Sequence, residues 1–284
     1  MFPFTADCKG LEYFSQTELA FITPSVRHTP GADGIRGGSL ELDGTFESFI
    51  EIPNYDGGWA DARQSITLLA FIYPIRSSGP VISYDRNGYG VQIWQEGLYD
   101  GMGILSVWFV RRDLAQAFTL KNAVLNINAW NFIGASYDHV TGMARLWHNG
   151  NEVQAVFIGE NFELATQFSI RIGAWASPWQ ACYFKGRISH LHIYAEALTV
   201  SNIQAVGCIP PKGRYICDLQ YFLPFTEVFV NQIRFNFNER ISQNHQPLSL
   251  NVLPFMTVWE LTQTLSKRYS HIDQRSVKLF ISGQ

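Results

Sequence analysis

"AWNFIGASYDHVTGMARLWHNGNEVQAVF", residues 129–157, is the stretch that decides the fold class. A strand-like run ends at Tyr137, residues 138–142 provide a turn, and "ARLWH" leads into Asn149-Gly150. An Asn-Gly pair between two apolar runs is the strongest short-range signal for a β-hairpin. The stretch therefore predicts three consecutive antiparallel strands.

Similar runs recur through residues 39–210, separated by turn residues. They occupy residues 65–75, 79–95, 103–112 and 168–176. Pro74 should close the first of them, because proline cannot donate to a strand ladder. Many short strands at regular spacing predict a β-sandwich or a β-barrel.

A β-bulge is expected in the segment "CYFKGRISHLHIY", residues 182–194. Its apolar side chains change parity, since Phe184 and Ile188 share one and Leu191 has the other. One extra residue near Ser189–His190 would bring both sets to the same face. Gly186 should mark a tight bend or a close backbone approach.

Composition excludes several classes of protein. The net charge is -3, with 46% hydrophobic and 16% charged residues, so no basic surface for nucleic acid is expected. No apolar run is long enough to span a bilayer. The N-terminal "MFPFTADCKG" has no basic region followed by an apolar one, so it does not read as a signal peptide.

The C-terminal part has a different character. Two prolines mark residues 209–230 as a linker, and residues 231–239 and 247–255 could pair as a hairpin. Residues 257–272 carry a capping-box spacing and an apolar stripe at helical periodicity, and a strand at 276–284 follows. A small α+β unit with a ββαβ order is therefore expected over residues 231–284.

Six motifs in order carry a family resemblance. "GSLELDGTFESFIEIPN", "SITLLAFIYP", "WNFIGASYD", "RLWHNGNEV", "IRIGAW" and "FKGRISHLHIYAEALTVSNI" resemble laminin-G-like domains, the concanavalin A-like jelly rolls, over roughly residues 36–208. The resemblance implies a mainly β fold, a two-sheet antiparallel jelly-roll sandwich occupying residues 1–208. Residues 231–284 more faintly resemble a ubiquitin-like β-grasp, and an unrelated appendage is the alternative.

The same resemblance implies a disulfide between Cys182 and Cys208, which would bracket the last strand and its tail. The alternative is two buried free thiols. Cys8 and Cys217 would then be the remaining pair. Two disulfides would place the protein outside the cell or in the secretory pathway.

Catalytic and metal-binding patterns are weak. Glu41, Asp43 and Glu47 resemble the acids of a jelly-roll glucanase, but the third lies too far along and Asp43-Gly44 signals a turn. His190 and His192 could share a metal ion on one strand face, yet no third ligand is near in sequence. No enzyme is therefore predicted.

Calcium is a candidate ion, because many members of the resembled family bind it at one rim. The loop oxygens that could hold it belong to Asp85, Asn87 and Asp138, although these residue types are also ordinary turn formers.

Aromatic side chains could form a recognition face, since such residues are frequent hot spots at interfaces and also stack on sugars. The alternative is that most of them fill the core. The candidates are Trp94, Tyr99, Trp175 and Trp179.

Together these patterns predict a non-catalytic recognition or adhesion module. It would bind a protein or a glycan through rim loops, with calcium as a candidate cofactor. The alternatives are a carbohydrate-active jelly-roll enzyme of the glycoside hydrolase type and a structural component that assembles with other chains.

Overall fold

A computed structural model describes most of the first 207 residues. The described residues are 1–13, 15, 17–54, 57–75, 78–84, 89–175 and 182–207, together with the backbone of Ile233–Phe235 and Leu248–Leu250. The chain divides into two compact units, Met1–Cys217 and Asp218–Gln284.

Two seven-stranded antiparallel sheets form a jelly-roll sandwich in the first unit, as predicted. Strands are numbered in chain order. From edge to edge, the first sheet contains β11 (Ala117–Leu125), β10 (Met102–Val110), β9 (Gln92–Tyr99), β8 (Gly79–Tyr84), β15 (Ile170–Ile172), β6 (Ile50–Ile52) and β3 (Phe21–Ile22). The second contains β14 (Asn151–Phe157), β13 (Met143–His148), β12 (Asn131–Asp138), β7 (Ile66–Pro74), β16 (Lys185–Tyr194), β5 (Ser39–Asp43) and β4 (Arg27–Thr29).

Two further elements complete the described part of this unit. β1 (Leu11–Glu12) pairs with β2 (Thr17–Glu18), and the helix α1 spans Val200–Gly207. The hydroxyl of Thr199 accepts a hydrogen bond from the backbone N–H of Asn202 at 3.3 Å, which caps the start of α1.

The hairpin predicted at Asn149-Gly150 joins β13 to β14. Both residues have positive φ, 50° and 76°, as a two-residue turn between twisted strands requires. Asp43 likewise ends β5, and Gly44 follows it with a φ of 79°. Local turn chemistry therefore determines these two chain reversals.

The bulge predicted in β16 is present. The pairing of β16 with β7 shifts register between Ser189 and His192, and His190 has a φ of 52°. Ile188 and Leu191 are consequently both buried in the core, despite their opposite parity. The N-terminal arm uses backbone groups of the bulge, because Phe2 forms a β-bridge with Leu191.

Gly186 lies at a close backbone approach, which confirms the second expectation for β16. A Cβ atom at this position would lie 2.4 Å from the carbonyl oxygen of Tyr73. Only glycine can therefore bring β16 this close to β7 here.

The disulfide predicted between Cys182 and Cys208 is not formed, since Cys182 carries a free thiol. The helix α1 explains why. Gly207, the residue before Cys208, lies against the Phe132 ring. Phe132 pairs with Phe71, which in turn pairs with Ser189 of β16. Cys182 lies seven residues before Ser189 in a nearly extended chain, so the two are about 20 Å apart. The Cα atoms of two disulfide-bonded cysteines lie within about 7 Å of each other.

Cys8 is buried, but Cys217 lies outside the described residues, so their pairing stays a prediction. In the second unit, Ile233–Phe235 pairs with Leu248–Leu250 in antiparallel fashion, as expected. The linker, the helix at 257–272, the strand at 276–284 and the β-grasp likeness lie outside the described residues. The helix described here is too short to cross a membrane.

Candidate functional site

One end of the sandwich gathers loops from both sheets. Here β6, β8, β10 and β12 end, and β7, β9, β11 and β13 begin. A further segment, residues 158–169, crosses between the sheets and forms a bridge through Leu164 to Arg111. We call the loop rim the residues 53–54, 57–65, 89–91, 111–116, 138–142 and 157–169.

Five segments of the loop rim each expose one large apolar side chain. Their exposed fractions range from 36% to 77%. The side chains belong to Trp59, Tyr89, Leu114, Val140 and Phe157. The ring of Phe157 lies next to Gly142, two residues from Val140. The Trp59 ring is tilted against Phe2, with 5.8 Å between the ring centroids.

A partly buried ion pair ties the loops together beneath these side chains. The two terminal nitrogens of Arg112 donate to the two carboxylate oxygens of Asp61, each at 2.8 Å. Thr166 donates to the same carboxylate at 2.7 Å. Desolvation raises the pKa of Asp61, but these hydrogen bonds outweigh it and the pKa lies below its usual value.

Asn54 adds a buried amide to this network. Its Nδ2 donates to the carbonyl oxygens of Thr166 and Phe168, at 2.9 and 3.2 Å, and its Oδ1 accepts from Ala60 N–H at 3.0 Å. The hydroxyl of Tyr84 donates to the carbonyl oxygen of Ala60 at 2.8 Å. Burial raises the pKa of this tyrosine. The rim loops are therefore cross-linked through interior polar contacts.

The charges of the loop rim leave an acidic excess. Each of its three arginines pairs with a carboxylate of the rim: Arg63 with Glu163, Arg111 with Asp113 and Arg112 with Asp61. Within the described chain, no salt bridge involves Asp138 or Glu160. The hydrogen bonds from Arg111 lower the pKa of Asp113 to about 2.

Asp138, one of the predicted calcium ligands, lies in the loop rim and holds a turn. Its oxygens accept hydrogen bonds from Val140 N–H at 3.0 Å and the Thr141 hydroxyl at 2.7 Å. Desolvation raises the pKa of Asp138, and these bonds more than offset it, so the pKa is lowered. Asp85 and Asn87 lie outside the described residues. The described residues hold no group of three His, Cys, Asp or Glu side chains that could bind a metal. His190 and His192 therefore have no third ligand among them.

Two of the predicted aromatic residues meet on the outer face of the first sheet. Ile93 and Val107 point into the core, so their neighbours Trp94 and Trp108 point outward. Trp175 lies 4.9 Å from Trp94 between ring centroids, and Trp108 lies 5.6 Å from Trp94. We call these three residues the tryptophan cluster.

Gln92 holds the tryptophan cluster in place. Its Oε1 accepts hydrogen bonds from the indole nitrogens of Trp94 and Trp175, at 2.9 and 3.3 Å. Trp94 and Trp175 are only 8% and 9% exposed, and Trp108 is half-buried. Trp108 and Gln92 were not predicted from the sequence, although Gln92 and Trp94 are spaced as residues on one strand face.

The other aromatic candidates do not join this cluster. Tyr99 is 70% exposed at the turn between β9 and β10, at the end opposite the loop rim. It lies five residues beyond Trp94, about 16 Å along the strand. Trp179 lies outside the described residues.

Comparison with known families identifies the fold. The family model described as the concanavalin A-like lectin/glucanases superfamily, a laminin-G type, matches residues 43–204, more than half of the chain. The chain belongs to this superfamily. No curated protein matches the chain in sequence.

Solved structures share the superfamily fold at low sequence identity. The botulinum neurotoxin serotype G binding domain matches with a TM-score of 0.53 and 14% identity, over 67% of this chain and 46% of that one. The binding domain of Paraclostridial Mosquitocidal Protein 1 matches with a TM-score of 0.54 and 15% identity, over 66% and 46%. The chain thus spans less than half the length of these two domains.

The superfamily is named for both lectins and glucanases. A glucanase needs a pair of carboxyl groups at the spacing required for hydrolysis, so the positions of the Asp and Glu side chains decide whether hydrolysis is plausible. Glu41 is paired with Arg187 at 2.9 Å, and Asp43 accepts hydrogen bonds from Thr45. On the outer face of the first sheet, Glu51 and Glu96 are about 14 Å apart across three strand spacings and about 13 Å apart along the strands. Glycoside hydrolysis requires two carboxyl groups roughly 5 to 9.5 Å apart. Glu51 and Glu96 are too far apart for this. Glu41 and Asp43 lie two residues apart on one strand face, but Arg187 and Thr45 already hold their carboxylates.

Proposed function

We propose that this domain is a non-catalytic recognition module and that a protein partner binds at the loop rim. One observation carries the proposal: five separate segments expose apolar side chains at the same end of a rigid sandwich. Loops held by a rigid scaffold are the usual position for binding residues.

Cross-linking of the rim loops supports this proposal. Asp61, Arg112, Thr166 and Asn54 join loops that are distant in sequence. Loops that are ordered before binding lose little conformational entropy when the partner arrives. The apolar tips can then contribute roughly 25 cal/mol for each Å² that leaves water.

The chemistry of the rim favours a protein over a glycan. Leu114 and Val140 are aliphatic and exposed, so they can pack in a protein interface but offer a sugar neither a hydrogen bond nor an aromatic face. Trp59 and Tyr89 are of the residue types that act as hot spots in protein interfaces. Asp138 and Glu160 flank Val140 and Phe157 without a pairing base among the described residues, which suits a partner with an apolar centre and basic edges. The structural neighbours are themselves named binding domains. Calcium bound by Asp138 is a secondary part of the proposal, and partner binding at the loop rim does not depend on it.

A pair of variants tests this function. Val140→Ser/Phe157→Ser removes two exposed apolar side chains from the loop rim, and Tyr99→Ser removes an equally exposed one from the opposite end. In pull-downs with each purified protein as bait, proteins that bind the wild type should also bind Tyr99→Ser but should not bind the rim variant. Quantitative mass spectrometry measures the difference.

Four other outcomes would contradict the proposal. Binding that survives in the rim variant would place the site elsewhere. Signals on a glycan array that depend on the rim would assign a glycan ligand instead. Turnover of a polysaccharide would make the domain an enzyme. Self-association that the rim variant abolishes would assign a role in a larger assembly.

A further inference from the structure

A cavity of about 250 Å³ lies on the outer face of the second sheet, away from the loop rim and the tryptophan cluster. Its walls include the aromatic rings of Phe71, Trp130 and Phe132 and the C-terminal end of α1, through Gln204 and Gly207. Asn149, at the β13–β14 turn, is exposed, so the cavity can be reached from solvent.

Two glycines seat the helix end in this position. A Cβ atom on Gly207 would lie 2.5 Å from the Phe132 ring, and one on Gly150 would lie 3.2 Å from the Gln204 side chain. The absence of both side chains allows the last turn of α1 to rest directly on the aromatic wall. The rings of Phe71 and Phe132 are themselves 4.8 Å apart between centroids.

The cavity has a negative electrostatic character, although no Asp or Glu side chain lines it. Phe71 and Phe132 are only 7% and 5% exposed, so the half-buried Trp130 is the main ring open to a ligand, and the negative quadrupole of such a ring attracts cations. The C-terminal end of a helix carries a partial negative charge, and α1 has no basic residue in its last turn to neutralise it. The residues that line the cavity include neither lysine nor arginine.

We infer that this cavity is a binding site for a small organic cation of the alkylammonium class. Its apolar walls favour the alkyl groups, and the Trp130 ring and the helix end favour the charge. Since water occupies about 30 Å³ per molecule, the volume accepts roughly eight non-hydrogen atoms. This site is separate from the loop rim and does not depend on the function proposed there.

Calorimetric titration with choline tests the inference, with 3,3-dimethyl-1-butanol as the neutral probe of the same shape. Choline should bind the wild type about tenfold more tightly than the neutral probe, because a cation–π contact contributes about 1 to 2 kcal/mol. A peptide carrying trimethyllysine, titrated beside choline, distinguishes a protein-borne cation from a free one.

Variants separate the cation site from a general apolar pocket. Trp130→Leu keeps the wall apolar and should weaken choline binding about tenfold. Gln204→Lys, at an exposed position, should repel the cation and weaken binding further without affecting folding. Trp108→Leu, on the other sheet, is the matched control and should bind as the wild type does.

Thermal melts and near-ultraviolet circular dichroism establish that each variant is folded. The inference is overturned if choline shows no saturable binding to the wild type or binds no better than its neutral counterpart. It is also overturned if Gln204→Lys leaves choline binding unchanged.

Discussion

Arg112 and Asp61 are joined by two parallel hydrogen bonds of 2.8 Å, although 51 residues separate them in sequence. The pair connects the loop after β6 with the loop after β10, and Thr166 attaches the crossing segment to the same carboxylate. Because both side chains are mostly buried, this contact should contribute to stability more than a surface ion pair does.

Arg112→Met should therefore lower the free energy of unfolding by about 2 kcal/mol, since it leaves the Asp61 carboxylate without its charged donor. Arg63→Met is the matched control, because the pair of Arg63 with Glu163 is largely exposed and should contribute less than about 1 kcal/mol. Denaturant unfolding of both variants measures the difference. Equal losses would show that the Arg112 pair has no special role.

The same carboxylate predicts a dependence of stability on pH. The folded pKa of Asp61 is lowered, so its contribution is present above the unfolded value of about 3.9 and is lost as pH falls through the folded value. Between neutral pH and about pH 5 the contribution should be constant. Below about pH 4 the wild type should lose stability more steeply than Asp61→Asn. Parallel stability curves for the two proteins would contradict this assignment.

Gly186 predicts a severe response to the smallest substitution. In Gly186→Ala the new Cβ would meet the Tyr73 carbonyl oxygen at 2.4 Å, so β16 must shift away from β7. We expect a loss of at least about 2 kcal/mol, or failure to fold. Gly97→Ala is the control, since no atom lies within 4 Å of its Cβ position and the change should be neutral or slightly stabilising. Thermal melts of both variants measure the effect. An unchanged melting temperature for Gly97→Ala and a lower one for Gly186→Ala would support the close approach of the two strands.

The free thiol of Cys182 predicts an alkylation pattern. Cys182 is partly exposed, so iodoacetamide should label it in the folded, unreduced protein. Cys182→Ser should leave the free energy of unfolding within about 0.5 kcal/mol of the wild type. Peptide mapping that recovers Cys182 linked to Cys208 would overturn the arrangement described here.

Local chemistry in the sequence predicted much of the sandwich. The Asn149-Gly150 hairpin needs only its two turn residues, and the bulge at His190 follows from the parity change between Ile188 and Leu191. β11 was harder to recognise, because it lies at an edge where Lys121 is exposed among half-buried residues. The strands β1 to β4 are only two or three residues long, too short for a period to emerge.

Long-range geometry accounts for what the sequence did not predict. The parity of β9 placed Gln92 and Trp94 on one face, but the burial of Ile93 in the core between the two sheets determines that this face is the outer one. The Arg112–Asp61 pair joins loops that only the assembled sheets bring together. The expected bridge from Cys182 was wrong because the direction of α1, which no local pattern specifies, carries Gly207 to Phe132.

The most direct test of the proposed recognition function is the dissociation constant of a purified partner for three proteins: the wild type, Val140→Ser/Phe157→Ser and Tyr99→Ser. Calorimetry should show at least roughly tenfold weaker binding for the rim variant, because each buried hot-spot side chain contributes more than about 1 kcal/mol. Tyr99→Ser should bind as the wild type does. Equal affinity of all three proteins, or a loss confined to Tyr99→Ser, would contradict the assignment of binding to the loop rim.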